Sequence, residues 1–126
     1  VFDWWLHNED RHLTENGGNP NLLWDVTGEQ LAVIDHNLAF DPDFNPQKFL
    51  ASHVFAQHWN AVYGDHLVRA AYSQRMAAAL VLLPAIRASI PDSWWWVDDG
   101  VPANIAWDAI ATCLQRYCRD DFWDLP

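Results

Sequence analysis

The stretch "NLLWDVTGEQLAVID" constrains this chain more than any other, because it holds two short apolar runs around a glycine-containing turn. Leu22–Val26 and Leu31–Asp35 are rich in the residues that strands favour, and Thr27-Gly28-Glu29-Gln30 joins them. Such a pair predicts an antiparallel β-hairpin with a four-residue turn. Whatever precedes Asn21 and whatever follows Asp35 is then brought to the same open end.

The flanking segments read as helix. Phe2–Leu6 is an apolar turn of helix that enters a polar loop. After "FDPDFNP", Asn45-Pro46 supplies an N-cap and a proline at the first helical position, and Phe49, Leu50, His53 and Val54 recur at helical spacing. This helix is expected to run to about Trp59, with Gly64 beyond its end. Asp65 caps a second helix carrying Leu67, Val68, Ala71 and Tyr72. It, or a successor, continues through Met76, Leu80 and Leu83, with Pro84 placed to kink or divide it. A last helix is expected from near Pro102, with Ile105, Ile110, Leu114 and Tyr117 facing inward. One hairpin followed by helices is an α+β layout, mainly helical.

With 126 residues, about half of them hydrophobic, nine tryptophans and no internal repeat, the chain reads as a single domain with a substantial core. A formal net charge of −10 argues against nucleic acid or an anionic membrane as partner, and it suits a protein that handles divalent cations as well as a merely soluble one. The longest apolar stretch, "MAAALVLLPAI", is short of the ~20 residues of a membrane span, and "VFDWWLHNED" has acids where a signal peptide carries bases. Cys113 and Cys118 would sit roughly 140° apart on a helix, which favours neither a disulfide nor a shared metal, and a reducing, cytoplasmic setting fits. A first residue of Val suggests a processed product or a piece of something longer.

The polar stretch "HNEDRHLTENGGNPNLLWD" carries the chemistry. Phosphoryl transfer needs an aspartate close to the acceptor hydroxyl, together with an Asn and a second Asp that hold the magnesium on the phosphates. Asp10 lies in the loop, Asn21 abuts the first strand and Asp35 closes the second, so the hairpin brings Asn21 and Asp35 together as ligands of one magnesium require. Around them, Asn16, Gly17 and Gly18 read as a turn with positive φ. Arg11 reads as the local ion-pair partner of Glu9 or Glu15. His12 has two readings, as a loop histidine that orients Asp10 or as a partner of the loop backbone. His7, His53, His58 and His66 lack the spacing of a zinc site. Trp94–Trp96 reads either as packing against the helices with one ring partly exposed, or as a docking patch.

The segments "NEDRH", "NPNLLW" and "LAVIDHNLAF" resemble the HipA-like kinases, specifically across the first forty residues and generally beyond. "VIDHNLAF" stands where kinases have Asp-Phe-Gly, and "DRH" is similar to the triplet of phosphoinositide kinases. The resemblance implies a protein-kinase-like C-lobe, with Asp10 as base or positioner of the acceptor hydroxyl, and Asn21 and Asp35 binding magnesium and the phosphates of ATP. It implies transfer to a protein Ser or Thr once complete. Asp10 and Asn21 are eleven positions apart where the kinase pattern has five, so "LTENGG" reads as a loop insertion, and Asn19 is the alternative ligand. His36-Asn37 replaces Phe-Gly. Nine residues precede Asp10 and Lys48 is the single lysine, so the glycine-rich loop and phosphate-binding Lys of an N-lobe are expected from elsewhere. The partners expected are that N-lobe or another protein, a protein substrate, or a second copy of the chain. Rival expectations are a non-catalytic remnant acting as an interaction module and, more distantly, a hydrolase using Asp10 and Asp35 on one metal.

Overall fold

A computed structural model describes residues 1–124. The chain starts with helix α1 (Phe2–Leu6), then hairpin β1 (His12–Thr14) and β2 (Gly17–Asn19), then hairpin β3 (Leu22–Asp25) and β4 (Gln30–Val33). Helices α2 (Pro46–Ser52), α3 (Trp59–Tyr63) and α4 (His66–Ala88) follow. A third hairpin, β5 (Trp96–Asp98) and β6 (Val101–Pro102), precedes α5 (Trp107–Gln115). The layout is α+β and mainly helical, with three small antiparallel hairpins among the described residues where the sequence predicts one.

The predicted hairpin forms with Leu22 opposite Val33 and Asp25 opposite Gln30. Against the expected bounds, β3 ends one residue early, while β4 begins one residue early, at Gln30, and ends two residues early, at Val33. The Asp25 carboxylate accepts the Thr27 N–H at 2.9 Å, an Asx turn that stops β3 one residue before Val26. At the open end Asp35 takes a left-handed conformation (φ 53°) and leaves the ladder, although the Ile34 N–H still reaches the Asn21 carbonyl at 3.0 Å. The first additional hairpin is built around "LTENGG", the stretch that reads as a loop insertion. Thr14 faces Gly17, whose φ of 101° an L side chain rarely adopts. Gly18 is required for a different reason, since a Cβ there would stand 2.4 Å from the His12 carbonyl oxygen.

Helix α2 begins as predicted, with the Asn45 side chain accepting the Lys48 N–H at 2.9 Å and Pro46 at the first position. It stops at Ser52 instead of reaching Trp59, because His53 turns extended and forms a β-bridge to His12, while the Val54 N–H bonds the Arg11 carbonyl. A 3-10 turn at Ala56–His58 then leads into α3. Asp65 caps α4 by accepting from the Leu67 and Val68 N–H groups. That helix runs 23 residues straight through Pro84. A single missing N–H close to its C-terminal end is not enough to divide it. The third hairpin turns at Gly100 (φ 74°) and takes up Pro102, so α5 begins at Trp107 and not near Pro102.

The core is aromatic: Trp4, Trp5, Phe49, Trp59, Tyr63 and Phe122 pack with Met76 and Leu114. Leu114 is buried as expected, and Ile105, Ile110 and Tyr117 are half-buried. The two indoles of α1 bind the far end of the chain, Trp4 Nε1 donating to the Phe122 carbonyl at 3.1 Å and Trp5 Nε1 to the Leu114 carbonyl at 2.8 Å. Arg116 adds a donation to the Trp4 carbonyl at 2.8 Å. The Trp94–Trp96 run is less enclosed than packing with one exposed ring would give: Trp95 packs on Trp107, but Trp94 is 70% and Trp96 54% exposed. Both cysteines are free thiols.

His7 closes α1 in a left-handed conformation (φ 53°) and stacks on Phe44 with ring centroids 4.4 Å apart. Burial, together with the Arg116 charge and against that of Asp41, pushes its imidazole down from 6.5 to about 4.

Two expectations follow for stability. Phe49→Ala, at a 2% exposed core position, should cost about 3–5 kcal/mol in denaturant unfolding, whereas Leu67→Ala, 82% exposed, should change stability by less than about 0.5 kcal/mol. The second concerns pH. Below 6.5 the unfolded chain takes up a proton at His7 that the folded chain resists until about pH 4. The melting temperature should therefore decline from pH 6.5 to 4, and His7→Asn, which tolerates the left-handed backbone, should flatten the decline.

Candidate functional site

The centre of the site is the segment between α1 and β3, which carries Asp10, Arg11, Asn19 and Asn21. The Asp10 carboxylate, half-buried, receives the Asn21 Nδ2 donor at 2.8 Å and the Asn19 Nδ2 donor at 3.1 and 3.2 Å. The hairpin β1–β2 explains how residues nine and eleven positions away reach it. His12 lies opposite Asn19, so the chain goes out along β1, turns at Gly17 and returns Asn19 to the neighbourhood of Asp10. The longer spacing is thus absorbed without displacing the asparagines from the aspartate. Asn19 and Asn21, which the sequence leaves as alternatives, both bind Asp10, but their settings differ. Asn19 is exposed, whereas Asn21 is buried and sits at the open end of β3–β4.

Because the Asn21 amide nitrogen points to Asp10, its side-chain oxygen is left as an acceptor for another group. Asn21 faces Ile34 across the open end, and Asp35 is the next residue. The Asp35 carboxylate is exposed and accepts the Asn37 N–H in a long Asx contact of 3.4 Å. The amide oxygen of Asn21 and the exposed Asp35 carboxylate are a donor set of hard oxygens, suited to magnesium, which completes its shell with water and substrate phosphates. Among the described residues no three His, Cys, Asp or Glu side chains gather as a metal group, so any ion held here leans on oxygens from outside that set. His12 is fixed through its backbone, paired with Asn19 and bridged to His53. The groups on the Asp10 carboxylate are the two amides.

Arg11 departs from expectation. It pairs with neither Glu9 nor Glu15 but turns inward, 1% exposed, onto Asp3. Its Nε and Nη2 donate to the two Asp3 oxygens at 2.9 and 3.3 Å, and its Nη1 faces the carbonyls of Asn21 (2.5 Å), Ile34 (3.2 Å) and Pro20 (3.4 Å). Asp3 also receives Asn8 Nδ2 at 3.0 Å and lies 3.0 Å from His53 Nε2. Burial alone would raise the Asp3 carboxyl. Hydrogen bonds from His53, Arg11 and Asn8, with the Arg11 charge, outweigh it and hold the group well below the usual carboxylate range. Glu9, freed from Arg11, accepts the Asn45 N–H and pairs with Lys48 at 2.9 Å, fastening the loop to the start of α2.

Asp3, Asn8 and His53 are the members of this assembly that sequence reasoning misses. One signal does point to Arg11. It is the sole arginine before Arg69, and a planar guanidinium suits a buried ion pair better than an ammonium does. Next to the assembly a cleft of about 670 Å³ opens, lined by Phe2, Val33, His36, Phe55, Trp59 and Tyr72 among others.

The family model described as HipA-like kinase matches residues 1–126. No curated protein and no solved structure matches the chain.

Proposed function

The chain belongs to the HipA-like kinase family, and from that premise we propose that it carries the acid half of a kinase site, transferring the γ-phosphate of ATP to a protein Ser or Thr hydroxyl. The observation that carries this reading is the grip of Asn21 on Asp10 at the open end of the β3–β4 hairpin, with Asp35 one residue beyond the pairing partner of Asn21. A catalytic-loop aspartate, a metal asparagine and a metal aspartate in that order are the parts that phosphoryl transfer uses.

In this reading Asp10 accepts the hydrogen bond of the acceptor hydroxyl and takes its proton as the phosphoryl group moves. The two amides on its carboxylate aim the group. The Asn21 side-chain oxygen and the Asp35 carboxylate would hold magnesium, which would supply charge neutralisation on the phosphates. Lys48 is engaged by Glu9 at the start of α2, and in this reading it is not the lysine that reaches the phosphates. That grip, in this reading, comes from an upper lobe. The β3–β4 hairpin fits such a neighbour. Its pairing puts Leu22, Trp24, Leu31 and Val33 on one face, and Trp24 (60%), Leu31 and Val33 are exposed there.

Manganese or magnesium should bind weakly to the chain, Asp35→Ala should abolish binding, and Asp41→Ala should leave it intact. Isothermal titration giving the two variants equal affinity would remove Asp35 from the site. For catalysis, radiolabel from γ-labelled ATP should be transferred only when an upper lobe is supplied, fused or in trans, and Asp10→Asn should then lose the activity. Robust transfer by residues 1–126 alone, or an Asp10→Asn enzyme as fast as its parent, would contradict this division of labour.

A further inference from the structure

We infer that Arg11, seated by Asp3, is a positioning residue that sets the separation of the two magnesium ligands; this rests on the kinase reading of Asn21 and Asp35. A single nitrogen, Nη1, lies between the carbonyls of Asn21 and Ile34. The first belongs to one ligand and the second to the residue immediately before the other. Both ligands have left-handed backbones, Asn21 with φ 48° and Asp35 with φ 53°. Non-glycine residues keep such conformations where their surroundings over-determine them. Here the determining contact is a charge-assisted donor that pulls two carbonyl oxygens toward one point. Arg11 also follows Asp10 directly, so one buried side chain fixes all three acid-half residues relative to one another.

The rest of the guanidinium explains why it stays there. Nε and Nη2 are taken by Asp3, and Asp3 is itself held by Asn8 and His53, so the fork cannot rotate away from the carbonyls. Arginine is needed for this, because a planar fork can serve a carboxylate on one side and carbonyls on the other. A lysine ammonium, a single point charge at the end of a flexible stem, cannot span both. Without the guanidinium the Asn21 and Ile34 oxygens would face each other with no donor between them. They would separate or admit water, and the ligands would move with them.

The test uses Arg11→Lys and, as a gentler loosening of the same fork, Asp3→Asn. A third variant, Leu83→Ala, removes core packing contributed by α4 and serves as a control for lost stability. Two quantities are read: hydrogen exchange of the Ile34 amide, which is bonded to the Asn21 carbonyl, and Mn²⁺ affinity by titration with electron paramagnetic resonance. In Arg11→Lys, or in Asp3→Asn if the lysine variant does not fold, Ile34 exchange should accelerate. Mn²⁺ affinity should fall on the order of 10- to 100-fold, the usual cost of losing an outer-shell support. Leu83→Ala should leave both nearly unchanged relative to global stability. Unaltered Ile34 exchange in a folded variant, or equal losses in Leu83→Ala, overturns the inference. If the parent chain binds no Mn²⁺ while Ile34 exchange still depends on Arg11, the metal reading fails and the positioning of the open end by Arg11 stands.

Discussion

A guanidinium with almost no contact with water has to find a partner for its charge and for each of its donors, and the arrangement of the first thirty-five residues follows from how Arg11 does so. Asp3 supplies the charge, and backbone carbonyls from both sides of the β3–β4 open end supply the remaining acceptors. Either residue left alone in the interior would be strongly destabilising, whereas the hydrogen-bonded pair is tolerated. The ion pair is therefore weak evidence of net stability. Its effect is on conformation, since it admits only those backbones that bring α1, the polar loop and the hairpin end to one point.

Asp3 can play this part only because α1 is held still. Five residues are too few for an independent helix. What secures α1 is the burial of Trp4 and Trp5 in the aromatic core and the donation of each indole N–H to a backbone carbonyl. A tryptophan is well suited to this, being mostly apolar surface with one polar handle that needs a partner when buried. From core to chemistry the sequence of dependence is short: tryptophans fix α1, α1 presents Asp3, Asp3 seats Arg11, and Arg11 borders Asp10 and Asn21.

Local signals made much of this legible. The β3–β4 hairpin, the Asn45 and Asp65 caps and the inward Leu114 are written in turn chemistry, capping residues and helical spacing, which act over a few positions. The order Asp10, Asn21, Asp35 was likewise readable from the motif. What escaped was set at long range. Helix α2 ends early because His53 is captured by His12, and Arg11 ignores the nearby glutamates because a carboxylate on another element offers a dry, bidentate fit. The Gly17-Gly18 pair was visible as a turn, but its result, a hairpin that folds the extra residues out of the way and returns both asparagines to Asp10, depends on pairing that no single residue announces. Trp94 and Trp96 look like core material in composition and lie largely in solvent.

The indole bonds of α1 join residues 109 and 118 positions apart, which bears on the order of events during synthesis. A ribosome releases the chain from its N-terminus, so Trp4 and Trp5 emerge long before Leu114 and Phe122 exist. Until those carbonyls clear the exit tunnel, α1 has neither acceptors for its indoles nor the far wall of its core, and closing so long a loop brings its reward only at the end. Trp4 and Trp5 are consequently among the last of these residues to settle, and the Asp3–Arg11 pair that α1 presents stays unassembled on the nascent chain until Leu114 and Phe122 have emerged.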